Sequence, residues 1–343
     1  MASQPTKMAL EVREIPDALQ RLLDNSQISI AATADAMRQT DPRLVATIAR
    51  GSSDHAATYL KYAFELQAGI PVASIGPSVA SIYQAKLKMD RTATIAISQS
   101  GKSPDIVQMA KSTKHSGTLS IAMTNTPGSD LAEVCDHPIN IQAGPELSVA
   151  ATKTFVTSIA AGLILLAHWT QDKAFLAALQ KLPEQASAAI NCDWTVLRDR
   201  LCNESSLYIL GRGPSFAIAH EVALKFKETC QIHAEAYSSA EVMHGPVSIV
   251  GSNFPILGLA ARDAAESSLL GVCEKLAQQG ASPFVTSTLT KHATSLPAIT
   301  TGHPLTDPLM LIVSFYAFIE QLARKRGLNP DVPPNLQKVT ETV

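Results

Sequence analysis

The amino-acid sequence predicts an α/β protein in which two parallel sheets follow one another along the chain. Its 343 residues exceed the size at which one hydrophobic core keeps growing. Short apolar runs of strand length alternate with helical stretches, as they do where crossover helices connect parallel strands. The segments ATIARGSSDHAATYLKYAFE and LYILGRGPSFAIAHEVALKFKE repeat the same order of strand, glycine turn and helix. We therefore expect a duplicated α/β unit, with helices on both faces of each sheet.

The first half begins with a predicted helical cap, because apolar residues recur at helical spacing until the break at Asp41-Pro42. Helices are expected from about Asp54 and from Pro104. Two long helical stretches, from about Val149 to Thr170 and from Asp172 to Asp199, are expected to close this half. Strands are expected in the apolar runs RLVATIAR, IPVASIG, TATIAIS, LSIAMT and HPINIQ.

The second half restarts with LYILGRG, a strand running into a glycine turn, and a helix through EVALKFKE. Further strands are expected in FPILGLA and PFVTST, and a closing helix in LMLIVSFYAFIEQLARKRG. The tail NPDVPPNLQKVTETV is interrupted by proline and lacks a period, which predicts an irregular segment across the body. The predicted boundaries are a helical segment 1–42, a first domain 43–178, a helical linker 179–200, a second domain 201–330 and a tail 331–343.

Composition excludes several classes of function. With 28 Lys and Arg against 30 Asp and Glu, the net charge of -2 gives no basic surface for nucleic acid. The apolar runs at Ile159 to Leu166 and Leu309 to Ile319 are shorter than the ~20 residues of a membrane-spanning helix. The start lacks the layout of a secretory signal, and the five cysteines form no CxxC pair. We expect a cytoplasmic protein with free thiols, without a membrane partner or structural zinc.

The strongest local signal for chemistry follows the run TATIAIS. Ser103 is placed as the N-cap of a helix, with Pro104 at its first position. Hydroxyl groups beside free backbone N–H groups at the positive end of a helix favour a phosphate, although an ordinary strand-to-helix turn remains an alternative. The residues of this loop are Ser98, Gln99, Ser100, Gly101, Lys102 and Ser103.

A second serine loop, Gly51-Ser52-Ser53, follows the strand RLVATIAR. Loops at the carboxyl ends of neighbouring parallel strands converge on one crevice, so the two serine loops are expected to hold one phosphate. The corresponding stretch of the second half, GLAARDAAES, has no serine cluster. The anion site is therefore expected in one copy.

The second half instead concentrates acids and histidines in KFKETCQIHAEAYSSAEVMHGP. Glu221, Lys225 and Glu228 share one helix face, which is typical of a solvated, salt-bridged stripe. Alternatively, a general base works there beside a proton carrier. His244 followed by Gly-Pro is either part of that chemistry or an exposed histidine in a turn. Neither HExxH nor GxSxG is present, which disfavours a zinc enzyme or serine hydrolase.

Eight motifs in order resemble the SIS (sugar isomerase) family, in particular the isomerase half of glucosamine-6-phosphate synthase and its stand-alone relatives. They are RGSS, SQSGKSPD, TNTPGSDLA, AGPELSVAATKTF, LGRG, ALKFKE, IHAEAYSSAEVMHGP and PPNLQKVT. The resemblance implies two tandem flavodoxin-like SIS domains. It also implies a sugar-phosphate site shared across a homodimer, with no cofactor and no metal.

The resemblance also assigns roles to individual residues. Glu228 matches the base that moves a proton between C1 and C2 of the sugar, with Lys225 beside it. His244 matches the ring-opening histidine that the partner subunit supplies, and Lys338 a lysine that closes over the sugar. The expected ligands of the phosphate and of the sugar are Ser52, Ser53, Ser98, Gln99, Ser100, Ser103 and Val149.

The expected reaction is a deamination of glucosamine 6-phosphate, because the sequence starts at the isomerase half without a glutaminase domain. Water would replace the amine, giving fructose 6-phosphate and ammonia. The alternatives are a fructosamine-6-phosphate deglycase, a plain aldose–ketose isomerase and a sensor without catalysis. The segment between Glu228 and His244 lacks a helical period, so we expect it to extend outward and carry His244 to the neighbouring subunit.

Overall fold

The structure, a computed structural model, describes residues 4–338 as two compact units. The first-sheet unit comprises Pro16–Glu146 and Lys153–Lys181. The second-sheet unit comprises residues 4–15, Leu147–Thr152 and Leu182–Lys338. Each unit holds one five-stranded parallel sheet, which confirms the predicted α/β fold.

The chain begins with the expected helices, α1 (Lys7–Arg13), α2 (Ile15–Asn25) and α3 (Gln27–Thr40). The Thr6 hydroxyl caps α1 by accepting a hydrogen bond from the Ala9 N–H at 3.0 Å. Asp41, in the left-handed conformation with φ 43°, ends α3 immediately before Pro42.

The first sheet has the strand order β2-β1-β3-β4-β5. The order reverses between β1 and β3, and such a switch point is where open α/β sheets bind ligands. Every residue of β3 is buried. The strands are β1 (Leu44–Ile48), β2 (Val72–Ser74), β3 (Thr92–Ile97), β4 (Leu119–Thr124) and β5 (His137–Asn140). The helices are α4 (Ser52–Ala68), α5 (Ser78–Ser81), α6 (Pro104–His115), α7 (Asp130–Val134), α8 (Lys153–Trp169) and α9 (Lys173–Leu179).

The second sheet repeats this topology, with the order β10-β9-β8-β6-β7. Gly51 and Gly213, which precede α4 and α12, share nearly the same dihedral angles, φ 55° and ψ −134° against φ 58° and ψ −134°. The strands are β6 (Ser206–Gly211), β7 (His233–Ser238), β8 (Pro255–Gly258), β9 (Ser282–Val285) and β10 (Thr294–Ser295). The helices are α10 (Leu182–Ala189), α11 (Thr195–Leu201), α12 (Pro214–Cys230), α13 (Glu266–Gln278) and α14 (Asp307–Lys325), with 3-10 turns at Glu241–His244 and Pro246–Ile249.

Helix boundaries between the sheets differ from the sequence-based expectation. The helix expected from Val149 begins only at Lys153, and the helix expected over 172–199 is three shorter helices, α9 to α11. The Asp172 carboxylate starts α9 by accepting a hydrogen bond from the Phe175 N–H at 2.9 Å. Apolar periodicity continues across these breaks, so the sequence pattern did not reveal them.

The segment before His244 corrects another expectation. It does not extend outward, because His233–Ser238 forms the edge strand β7, paired in parallel with β6. The strand signal is a short period-2 alternation in which Ala234 and Ala236 separate polar residues.

Past Arg326, the described part of the tail contains no helix or strand, as expected, and residues 339–343 lie outside the described residues. Within residues 4–338, no helix combines the length and hydropathy needed to span a bilayer.

Candidate active site

The loop between β3 and α6 presents its serine hydroxyls at the carboxyl edge of the first sheet. The Ser98 hydroxyl accepts a hydrogen bond from the Gly101 N–H at 3.2 Å, and the Ser100 hydroxyl accepts one from the Lys102 N–H at 3.3 Å. Each hydroxyl that accepts in this way keeps its own O–H to donate. Ser103 occupies the N-cap of α6, but its side chain makes no capping hydrogen bond. The loop can therefore offer several hydroxyl donors to an anion at the positive end of α6.

Gly101 allows this loop to fold because of both its conformation and its surroundings. Its φ of +63° lies in the left-handed region, and a Cβ added there would lie 2.1 Å from the Ser129 hydroxyl oxygen. Ser129 is 4% exposed, and its hydroxyl has no hydrogen-bond partner among the described residues. The loop thus packs against a buried hydroxyl that lies in the TNTPGSDLA motif but to which the sequence assigned no role.

The two serine loops are held together by an ion pair. Arg50, which precedes Gly51, places its Nε 2.6 Å from Oδ2 of Asp105, the second residue of α6. The Asp105 side chain is fully buried, whereas that of Arg50 is 47% exposed. The structure thereby brings the loop carrying Ser52 and Ser53 beside the β3–α6 loop, in agreement with the expected convergence.

The corresponding place in the second-sheet unit has a different lining. A cavity of about 390 Å³ opens at the carboxyl ends of β8 and β9, and Arg262, Glu266 and Asp307 supply its charged groups. Both acids are engaged: Glu266 accepts from the Ser287 hydroxyl at 2.7 Å, and Asp307 accepts from the Thr301 N–H at 2.6 Å. The stretch after β8, which corresponds to the serine loop after β3, contributes Ala260, Ala261, Arg262 and Glu266 to this lining, and the hydroxyl groups come instead from residues such as Thr286, Ser287 and Thr288 after β9.

Helix α12 carries a buried charged cluster. The Lys225 ammonium lies 2.5 Å from Oε2 of Glu228 and 3.1 Å from Oε1 of Glu221. The side chains of Lys225 and Glu221 are fully buried, and that of Glu228 is 19% exposed. The interpretation as a solvated stripe is therefore wrong, although the shared helix face is as predicted.

This cluster continues to helix α14. The Tyr316 hydroxyl donates a hydrogen bond to Oε1 of Glu221 at 3.1 Å, and Tyr316 is fully buried. Burial lowers the pKa of Lys225, but the carboxylates of Glu221 and Glu228 outweigh burial and hold that pKa above its ordinary value. Lys225 is consequently a permanent cation at neutral pH.

Glu228 is the member of the cluster that faces open space. It lines a cavity of about 500 Å³ together with Gln231, His233 and tail residues such as Asn335. The corresponding helix of the first-sheet unit also ends in an acid, Glu65, but its carboxylate accepts hydrogen bonds from the Lys61 ammonium and the Val72 N–H. Glu65 thus ties α4 to β2, whereas Glu228 is presented to a cavity.

The structure separates His244 from Glu228 within the chain. Glu228 lies in the last turn of α12 and lines the same cavity as His233, at the start of β7. His244 is exposed and follows the far end of that strand. The six residues of β7, at roughly 3.3 Å each, span ~20 Å. The two side chains therefore do not meet within one protomer.

Val149 and Lys338 are brought together in the second-sheet unit. The Lys338 ammonium donates a hydrogen bond to the Ser148 carbonyl at 2.7 Å, and the Val149 N–H donates to the Asp331 carbonyl at 3.3 Å. The turn at 147–152 and the tail are thus joined at the residues that the sequence motifs single out.

The protein is thus a tandem repeat of a doubly wound α/β unit. One copy carries a hydroxyl-rich loop, and the other carries a buried Lys–Glu cluster. The SIS domain model matches residues 40–168 and 200–302, one match on each sheet. The chain belongs to the SIS domain family, which confirms the resemblance carried by its motifs.

Known relatives extend over almost the whole chain. Glutamine–fructose-6-phosphate aminotransferase (isomerizing) of Sulfolobus acidocaldarius is 32% identical over 97% of this chain and 56% of its own length. This chain thus spans about half the length of the curated relatives it matches. A candidate phosphosugar isomerase of Silicibacter pomeroyi DSS-3 is 55% identical, with a TM-score of 0.93 over 95% of this chain and all of the other. Glucosamine-6-phosphate deaminase of Thermotoga maritima shares the fold, with 19% identity and a TM-score of 0.80 over 98% of this chain and all of the other.

Proposed function

We propose that this protein converts glucosamine 6-phosphate and water into fructose 6-phosphate and ammonia. The observation that carries the proposal is Glu228, a carboxylate paired with a buried ammonium yet presented to a cavity. A sugar-phosphate isomerisation needs one such base, because the same group can take a proton from C2 and return it to C1. Two relatives, an isomerizing aminotransferase that acts on fructose 6-phosphate and a candidate phosphosugar isomerase, support a substrate of this class.

In the proposed reaction the serine loops of the first-sheet unit bind the phosphate. Ser98, Gln99, Ser100 and Ser103 donate from one loop, and Ser52 and Ser53 from the other. Arg50 and Asp105 fix the spacing of the loops. Binding energy from the phosphate positions the reacting end of the sugar, which lowers the entropic cost of the chemical step.

Proton transfer is assigned to His244 and Glu228. His244 of the partner subunit opens the sugar ring, and Glu228 then removes the C2 proton and delivers a proton to C1. Lys225 orients the Glu228 carboxylate and balances its charge, while Lys338 and the backbone at Val149 contact the sugar. Water adds to the resulting C2 imine, and ammonia leaves as the C2 ketone forms. Each step is acid–base chemistry that requires no change of oxidation state in the protein.

A coupled assay tests this proposal. The purified protein is incubated with glucosamine 6-phosphate, and ammonia and fructose 6-phosphate are measured in parallel, with unphosphorylated glucosamine as the control. We expect equal amounts of the two products from the phosphorylated substrate alone. Interconversion of sugar phosphates without ammonia would instead identify a plain isomerase. Turnover restricted to an N-substituted fructosamine 6-phosphate would identify a deglycase, and binding without turnover a sensor.

A further inference from the structure

The short helix α1 reaches the turn at 147–149 through one buried carboxylate. Glu11 is 5% exposed, and its Oε1 accepts hydrogen bonds from the N–H groups of Leu147 and Ser148, the second at 3.1 Å. A buried carboxylate that accepts two backbone N–H groups fixes the peptide it contacts, because breaking either bond would expose a charge to an apolar interior.

The same residue, Ser148, also contacts the tail. Ser148 is fully buried, and while its N–H donates to Glu11, its carbonyl accepts from the Lys338 ammonium at 2.7 Å. The Glu11 carboxylate and the Lys338 ammonium therefore act on opposite ends of one short segment. The Glu11 carboxylate holds two successive N–H groups, those of Leu147 and Ser148, and so restricts the backbone that leads into the Ser148 carbonyl. The position of that carbonyl in turn determines where the Lys338 ammonium sits.

A second contact fixes α1 to the tail independently. The Asp331 carboxylate accepts hydrogen bonds from the N–H groups of Lys7 and Met8, at 2.8 and 2.9 Å. The Asp331 carbonyl in turn accepts from the Val149 N–H. Helix α1, the turn and the tail thus form one junction, in which Glu11 joins α1 to the turn and Asp331 joins the tail to both α1 and the turn.

We infer that Glu11 is a positioning residue for the sugar end of the active site, acting through the backbone of Leu147 and Ser148 on Val149 and Lys338. The effect of Glu11 on turnover rests on the proposed function. Its effect on the position of Lys338 does not. Glu11 itself does not contact the reacting atoms in this assignment.

Chemical labelling of lysines tests the placement without any need for turnover. The full-length protein is treated with a limiting amine-reactive reagent, and the labelling rate of Lys338 is followed by mass spectrometry. Glu11→Leu keeps the side-chain volume but accepts no hydrogen bond, so Lys338 should be labelled at least fivefold faster, with other lysines unchanged. Glu11→Gln retains an acceptor oxygen and should stay within about twofold of the wild type. Glu14→Gln, which alters an exposed carboxylate at the end of the same helix, is the matched control.

Asp331→Ala provides a second variant, because it releases the other link between α1 and the tail. It should also raise the labelling of Lys338, even if Glu11→Leu fails to fold. An unchanged labelling rate in the folded variants would overturn the inference.

Kinetics then separates the inference from the proposed function. In Glu11→Leu, kcat for glucosamine 6-phosphate should fall at least tenfold while KM changes less than threefold, because the phosphate loops lie in the other unit. Glu11→Gln should restore most of kcat. Faster labelling together with unchanged kcat would overturn the catalytic part, whereas a wild-type protein without deaminase activity would overturn the proposed function and leave the placement of Lys338 intact.

Discussion

Single side chains in this molecule differ in role according to their burial and partners rather than their spacing. Glu65 and Glu228 both end a helix after a glycine turn, yet only Glu228 faces a cavity and is paired with a fully buried lysine. The sequence therefore shows where the two acids lie on their helices. Only the packing around each side chain shows that Glu65 has a structural role, whereas Glu228 is placed as the proposed base.

Glu228→Gln is expected to lower kcat by at least about 100-fold with KM nearly unchanged, because the amide cannot accept the C2 proton. Steady-state kinetics on a folded variant measures this. Glu65→Gln is the matched control and should turn over at close to the wild-type rate. Comparable kcat values for the two variants would remove Glu228 from the mechanism.

Ser100→Ala is expected to raise KM about tenfold, or ~1.4 kcal/mol, through loss of one hydrogen bond to a charged phosphate. Ser112→Ala, near the other end of α6, should leave KM unchanged. Equal KM values in the two variants would contradict a phosphate contact at Ser100.

Thiol reactivity should divide the five cysteines by burial. Burial raises the pKa of Cys135, Cys230 and Cys273 to about 12, so these groups stay as unreactive thiols at pH 8. Cys192 and Cys202 are only half-buried. Maleimide labelling of the native protein at pH 8 should modify these two first. Rapid modification of Cys273, which is fully buried, would indicate that the second-sheet core opens readily.

At the scale of elements, the sequence predicted most strands and both glycine turns, because apolar runs and turn residues are local signals. It missed β7, where alanines alternate with polar residues, and the two-residue strand β10. It also predicted a single helix where the structure has α9, α10 and α11. The serine loop was foreseen from its own residues. The Arg50–Asp105 pair, Ser129 and Glu11 were not, since their partners lie far away in the sequence and only the fold brings them together.

Gly101→Ala tests the packing of the phosphate loop. The left-handed backbone costs a side chain about 1–2 kcal/mol, and the approach to Ser129 adds a clash. Gly117→Ala shares the positive φ, +82°, but its Cβ would meet nothing within 4 Å. Thermal unfolding should show a larger loss of stability for Gly101→Ala, with loss of phosphate binding for that variant alone. Equal losses in both would mean that Ser129 leaves room for the methyl group.

Lys225 is fully buried and pairs with two carboxylates of its own helix, so its removal should be costly. Lys225→Met removes the cation that contacts two buried or partly buried carboxylates, which costs about 3–5 kcal/mol. Adding Glu221→Leu should recover part of this. Since folding raises the Lys225 pKa, the contribution is complete at neutral pH and disappears only as pH rises through that raised value. The stability difference between wild type and Lys225→Met should thus stay constant from about pH 6 to 9; a steady decline over that range would contradict a permanently charged Lys225.

At the scale of the whole molecule, His244 and Glu228 lie at opposite ends of β7, so one protomer does not bring them together. We propose that a symmetric dimer, in which each subunit completes the other's site, brings the two side chains together.

Mixing two inactive variants tests the shared site. After subunit exchange, His244→Ala and Glu228→Gln should together regain up to about a quarter of the wild-type activity, because about half of the dimers are mixed and each carries one intact site. Exchange is verified by mass spectrometry of tagged subunits. Absence of recovery despite verified exchange would show that each site is built from a single chain.

The most direct test of the central claim follows the C2 hydrogen itself. Glucosamine 6-phosphate deuterated at C2 is converted by the wild-type protein and by Glu228→Gln, and the sugar product is analysed by NMR and mass spectrometry. If Glu228 moves the C2 proton, the product is fructose 6-phosphate with its deuterium at C1 or lost to solvent, and the variant forms almost none. A deaminated product that still carries deuterium at C2 would contradict proton abstraction as the reaction of this protein.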